Sequence, residues 1–242
     1  MRKRLFFTSV LCLVSQVSHA AFTKAQVGVS SSSAHCTFGS AIGTGHLVVL
    51  GVEFYDATSN CPTITSIIDN SSNTYLVSAN SPSSVNASGA GCGFLIYSAN
   101  TIATVTRPTI TLSFSKVASV ADVFCDDFAV TGGQVYVDDD RTGSGNSGTT
   151  INTPTVVVSG PGELLYALGL PGVGNITSAG APWTINEGGV KDGNVTEWIL
   201  SISSNTALSF ADASGPVWNS NGISFRTSSV INKSNKLRRI ME

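Results

Sequence analysis

The run Val137-Asp138-Asp139-Asp140-Arg141-Thr142-Gly143-Ser144-Gly145-Asn146 concentrates charge in a chain that holds only 13 basic and 15 acidic residues. Calcium takes about six to eight oxygen ligands, and a glycine-turned loop of carboxylates and amides can supply several of them. Asp138, Asp140, Thr142 and Asn146 offer such oxygens around Gly143, but Thr149 stands where a helix-flanked calcium loop closes with a bidentate Glu. That motif is therefore excluded. A structural calcium site, if one forms, is expected at Asp138, Asp139 and Asp140 with a carboxylate borrowed from elsewhere; a polar joint is the preferred reading, and no other cofactor is called for.

Asp126 and Asp127 are adjacent in an alternating stretch, so in a strand they point to opposite faces and cannot act together on one glycosidic bond. Any partner for either, such as Asp69, Glu53 or Glu197, is beyond what the sequence specifies. His35 and His46 have no Gly-x-Ser-x-Gly elbow to serve. No matched acid, base and nucleophile appears, and the chain is expected not to be an enzyme.

The three tryptophans are Trp183, Trp198 and Trp218. Sugar rings present flat CH faces that stack on aromatics, while asparagine side chains bind hydroxyls. "APWTINEGG" and "GPVWNSNG" place Trp183 with Asn186, and Trp218 with Asn219 and Asn221, beside turn residues. These five are the candidate ligand-binding residues, with Trp198 assigned to the core.

Positioning such residues falls to a β framework. Gly contributes 24 residues, and apolar residues come in short alternating runs rather than helical stripes. "PTITLSFSK" alternates Ile110, Leu112 and Phe114 with hydroxyl residues, the mark of a half-buried strand. "HLVVLGVEF" is apolar on both faces, as a strand covered above and below would be.

Residues 1 to 20 read as a cleavable secretory leader: Arg2, Lys3 and Arg4, an apolar run from Leu5, then Ser18-His19-Ala20. No later run approaches the roughly 18 apolar residues of a membrane span. Localisation is expected to be secreted, extracellular or at the cell surface, with the periplasm as a further destination. Cys36, Cys61, Cys92 and Cys125 then enter an oxidising compartment, where an even number reads as disulfides. Three connectivities are open, and Cys61 to Cys92 with Cys36 to Cys125 is preferred from where the segments fall. Between Ala21 and Ser229 only 6 basic residues face 14 acidic ones, the wrong sign for a nucleic-acid partner. Residues 230 to 242 read as a flexible basic tail.

An internal repeat organises the rest. Gly43-Thr44-Gly45-His46-Leu47-Val48-Val49 matches Gly160-Pro161-Gly162-Glu163-Leu164-Leu165-Tyr166, and Ile64-Thr65-Ser66, Ser98-Ala99-Asn100-Thr101 and Phe128 find counterparts at Ile176, Ser203 and Phe225 in the same order. Such halves each leave an apolar face to bury, so they should close on each other. The expected architecture is an all-β, antiparallel, jelly-roll-like β-sandwich over 22–229, with half-repeats at about 22–136 and 154–229 and a joint at 137–153. Two tandem small sandwiches are the alternative.

The series "GTGHLVVLGVEF", "ITSIIDNSSNTYLVSA", "GFLIYSANTI", "TITLSFSK" and "VFCDDFAVTG", followed by "GPGELLYALGL" and "NGISFRTS", resembles secreted bacterial β-sandwich modules of the jelly-roll or lectin-like kind. The shared motifs are structural, so the resemblance implies fold and carries no functional residue. The expected function is a secreted non-catalytic binding or adhesion module whose partner is a glycan or cell-surface component. The alternative is a self-associating structural subunit of a surface layer or fibre, assembled through β-strand edges and the segment "AFTKAQVGVSSSS".

Overall fold

A computed structural model of the chain describes residues 21–30, 33–56, 60–86, 90–118, 120–145, 150–152, 154–171, 176–179, 183–185, 195–207, 209–212 and 218–229. The expected leader, the basic tail, Asn146 and Asn186 lie outside the described residues. Within them every regular element is a strand and every sheet is antiparallel. No helix there is long and apolar enough to cross a membrane.

The strands in chain order are β1 Ala21–Val27, β2 Val29–Ser30, β3 His35–Thr37, β4 Leu47–Asp56, β5 Ile64–Asp69, β6 Leu76–Val77, β7 Ser83–Asn86, β8 Ala90–Ala99, β9 Thr109–Phe114 and β10 Val120–Thr131. They continue with β11 Gly133–Gly145, β12 Thr150–Asn152, β13 Glu163–Pro171, β14 Ile176–Ala179, β15 Thr184–Ile185, β16 Val195–Ile202, β17 Ser209–Asp212 and β18 Trp218–Ser229. Four sheets result. Sheet I runs β2-β3-β9-β5, and sheet II runs β1-β10-β4-β8, with β6 and β7 both on the outer side of β8. Sheet III runs β11-β18-β13-β16-β15, and sheet IV runs β12-β17-β14.

Three apolar clusters fix how these sheets stack. The first joins Ile110 and Leu112 of sheet I to Val48, Leu50, Val52 and Phe54 of sheet II. The second joins Leu47, Val49, Phe124 and Phe128 of sheet II to Leu164, Tyr166, Leu168 and Phe225 of sheet III. The third joins Leu165 and Ala167 of sheet III to Ile151, Ile176 and Phe210 of the sheet IV side. The molecule is thus four β layers in the order I, II, III, IV.

This explains the two-faced apolar sequence of β4. Its even positions meet sheet I and its odd positions Leu47 and Val49 meet sheet III, so both faces are buried from Leu47 to Phe54. Gly51 lies where the two inner sheets approach each other tightly: a Cβ there would fall 2.4 Å from Cγ2 of Thr196.

Cys36 pairs with Cys125 and Cys61 with Cys92, at Cα separations of 6.4 Å and 5.6 Å. This is the preferred connectivity of the sequence reading. Both bonds tie the sheet I side to sheet II, and they are compatible with an oxidising environment. Strand β11 carries the chain from Gly133 to Gly145, so the acidic stretch expected to be a joint is mostly strand, paired with β18 from end to end.

Candidate functional site

Of the five residues singled out for ligand binding, Asn186 lies outside the described residues, and the other four are buried. Trp183 and Trp218 are 7% and 9% exposed and belong to the third apolar cluster. Trp218 lies so close to Gly145 that a Cβ there would fall 2.5 Å from its ring. Asn219 and Asn221 are buried where sheet III meets the β7–β8 edge. Ser83 donates to Oδ1 of both, while Asn219 Nδ2 donates to the Gly91 carbonyl at 3.3 Å and Asn221 Nδ2 to Ser81 Oγ at 3.4 Å. The physical reason is layer order: residues 218 to 225 of β18 lie between the β7–β8 edge of sheet II and the third apolar cluster, so side chains on both faces there are buried.

The three aspartates also serve the fold, and a β-bulge decides how. Val137 pairs with Phe225 and Asp139 with Ser224, so Asp138 is the extra residue. A bulge sends two successive side chains to one side of the sheet. Asp138 accepts from the N–H and hydroxyl of Ser159, both at 2.8 Å, and Asp139 accepts from the N–H of Val157 at 2.8 Å. Both pin the segment leading into β13. Asp140 points the other way and accepts from the hydroxyl of Ser78 at 2.6 Å and from Asn80, in the turn between β6 and β7. The carboxylates therefore diverge, and among the described residues no group of three or more His, Cys, Asp or Glu is placed to hold a metal ion.

What the bulge does assemble is a polar surface on the outer side of sheet III. Tyr136 and Arg226 are direct cross-strand partners of β11 and β18. They stand side by side, 46% exposed for Tyr136 and 52% for the Arg226 side chain. The guanidinium Nε lies 3.2 Å from Oδ1 of the almost fully buried Asp138. The Tyr136 hydroxyl donates to Gln134 Oε1 at 2.7 Å.

Glu163 completes the floor. It sits after the Gly160-Pro161-Gly162 turn, where Gly162 takes the left-handed φ of 84°, and accepts from the Gly160 N–H at 2.9 Å. Burial, and then the negative charge of Asp138, raise its carboxyl from the ordinary 4.5 to about 7; the Gly160 and Ser159 amides and Arg226 pull the other way. The result is an exposed phenol face beside a fixed fork of donors, over two buried carboxylates. Such a surface suits a flat, hydroxyl-rich ligand.

The sequence reading missed Tyr136 and Arg226. The signal was present: in "GQVYVD", Val135 and Val137 alternate with Gln134 and Tyr136, so once the valines are core the tyrosine must face outward.

Asp69, Asp126 and Asp127 are buried within the fold. Asp126 and Asp127 point to opposite faces, as adjacent strand residues must. Asp127 accepts from His46 Nδ1 at 2.8 Å and Gln26 Nε2 at 3.0 Å. Asp69 caps its own turn, accepting from the N–H groups of Ser71 and Asn73, from Asn73 Nδ2 and from the Tyr75 hydroxyl. Burial, then the charge of Asp69, raise the Tyr75 hydroxyl well above its usual range.

No family model, curated relative or solved structure matches this chain.

Proposed function

We propose that the protein is an exported, non-catalytic binding or adhesion module for glycans, acting at the cell surface or outside the cell. The observation that carries this reading is the pairing of exposed Tyr136 with Arg226 held by buried Asp138. The aromatic supplies a stacking face for a sugar ring, and Arg226, Gln134 and Ser159 supply donors and acceptors for its hydroxyls. This moves the glycan surface from the tryptophan segments to the outer face of sheet III. A glycan array probed with the mature protein, Tyr136→Ala and Arg226→Ala tests it. The expected result is binding by the wild type, loss in both variants, and no effect of a calcium chelator. Absence of binding to any glycan by the wild type sinks the proposal.

Assembly through strand edges finds little support. The segment from Ala21 to Val27 is folded onto β10 of its own sheet. The edge strands β1, β5, β11 and β14 each carry a register shift, β2, β6 and β15 are two residues long, and β7 and β12, in unbroken register, are only 4 and 3. Bulged or very short edges are how sheets avoid pairing with other copies. A sedimentation measurement at high concentration should return a monomer.

We further infer that sheets I with II and sheets III with IV are two copies of one jelly-roll-like unit. The orders β1-β10-β4-β8 and β3-β9-β5 repeat as β11-β18-β13-β16 and β12-β17-β14. In each set the opening strand lies beside the closing one, the connectivity of a jelly roll. The matched "GTGHLVV" and "GPGELLY" segments lead into the corresponding strands β4 and β13.

A further inference from the structure

Between sheets II and III lies a cluster that the binding surface does not use. Lys24 of β1 and Asp126 of β10 belong to neighbouring antiparallel strands, and their side chains both face sheet III. Lys24 Nζ pairs with Asp126 Oδ1 and sits 5.3 Å from the Phe128 ring centroid and 5.2 Å from that of Trp198. Asp126 is fully buried, while the lysine side chain keeps 17% exposure. The Tyr166 hydroxyl donates to the other carboxylate oxygen, Oδ2, at 2.6 Å.

We propose that Lys24 and Asp126 condense to a side-chain amide, an intramolecular cross-link that fastens the first strand of the mature chain to the sheet. The environment favours the step. The step begins with transfer of a proton from the Lys24 ammonium to Oδ1, the atom with which it is already paired, which leaves a neutral amine and a neutral acid. The fold holds the amine against the carboxyl group, which replaces a bimolecular encounter with a unimolecular one. The Nζ lone pair attacks Cγ and forms the N–C bond. Negative charge then develops on Oδ2, where the Tyr166 hydroxyl already donates. The Cγ–Oδ1 bond breaks, and Oδ1 leaves as water with a proton from the nitrogen. Ammonium and carboxylate thus become amide and one water, with no oxidant, metal or activated donor required. The Phe128 and Trp198 rings restrict water at the site, which slows the reverse hydrolysis.

Intact mass spectrometry of the mature protein after full reduction of both disulfides decides the matter. The expected mass is lower than the sequence mass by one water, and tryptic digestion should leave Lys24 uncut in a branched peptide that also contains Asp126. A wild-type protein at its full sequence mass overturns the proposal. Lys24→Arg keeps the charge but should restore the full mass, and a dehydrated Lys24→Arg protein also overturns it. Asp126→Asn offers an amide carbonyl in the same place, so it should lose ammonia in place of water; a branched peptide from any residue other than position 126 refutes the assignment.

Discussion

The two outer sheets are attached to the two inner ones by different means. Sheet I is joined to sheet II by two disulfides, while the described part of sheet IV is joined to sheet III by none. Its place is held by Trp183, Trp218 and Phe210 in the third apolar cluster and by Asp138 and Asp139, whose carboxylates grip residues 157 to 159. The outer sheets are therefore held covalently on one side and by aromatic burial and charge-assisted hydrogen bonds on the other. Cross-links act on the unfolded chain and are indifferent to pH and salt. Carboxylates respond to both, so the attachment of sheet IV, which rests on Asp138 and Asp139, should respond to its surroundings where the two disulfides do not.

Removing both disulfides should have the largest effect. In the chain-entropy account, closing 89 residues between Cys36 and Cys125 contributes about 4.5 kcal/mol. Closing 31 between Cys61 and Cys92 contributes about 3.5 kcal/mol. Trp183 and Trp218 lie in the third cluster and Trp198 packs on the second, so tryptophan emission reports on sheets III and IV. Under reduction, amide hydrogen exchange in β3, β5 and β9 should rise at urea concentrations where tryptophan emission has not yet moved. Simultaneous loss of both signals would show that the two pairs of sheets melt as one unit and that the contrast has no energetic meaning.

On the other side, Trp218→Ala should cost about 3–5 kcal/mol in urea unfolding, because the large ring leaves a cavity between β18 and the sheet IV cluster. The exchange pattern should reverse, with β12 and β17 opening before β3 and β9. A cost below about 1 kcal/mol would mean that the ring only covers the cluster and does not fill it.

How much of this could be read from the residues depends on whether the controlling contact is local. Strand alternation is local, so β4, β9, β10 and the end of β18 around Ile223 and Phe225 were visible, as was the split of Asp126 and Asp127 to opposite faces. The cysteine pairing found is the one preferred from where the segments fall, out of three connectivities that the sequence left open. The bulge at Asp138 is not local: it is a mismatch of count between β11 and β18, and neither strand carries it alone. "DDDRTGSGNSG" accordingly resembled a linker, and its three aspartates a cation site. The tryptophans misled for a similar reason. Their Pro- and Gly-rich neighbours indicate turns, but whether a turn is covered by the next sheet depends on layer order, which no single segment specifies.

Asp138→Ala separates the two jobs of that residue. It removes the acceptor for Ser159 and the anchor of Arg226, at a cost of about 2–3 kcal/mol for charge-assisted bonds in a buried place. Asp140→Ala removes bonds to Ser78 and Asn80 that join sheet III to sheet II, so it should destabilise without altering exchange in β12. If the two variants gave the same exchange pattern, the division of the aspartates between the two faces would be wrong.

The smallest effect is also the most specific. Glu163 has a folded pKa of about 7 against an ordinary 4.5, so between those values the folded state binds more protons than the unfolded one. Stability from this group is complete below pH 4.5 and is lost as pH rises towards 7. Glu163→Gln removes the titration but still buries an amide, which returns part of the gain. The variant should match the wild type near pH 4.5 and exceed it by about 1–2 kcal/mol above pH 7, judged from urea midpoints. The difference should shrink in Asp138→Ala, because the aspartate charge is the second cause of the shift. A wild-type minus variant difference that stayed flat across this window would mean that Glu163 remains ionised in the fold. The pH response would then have to be sought elsewhere than on the sheet IV side.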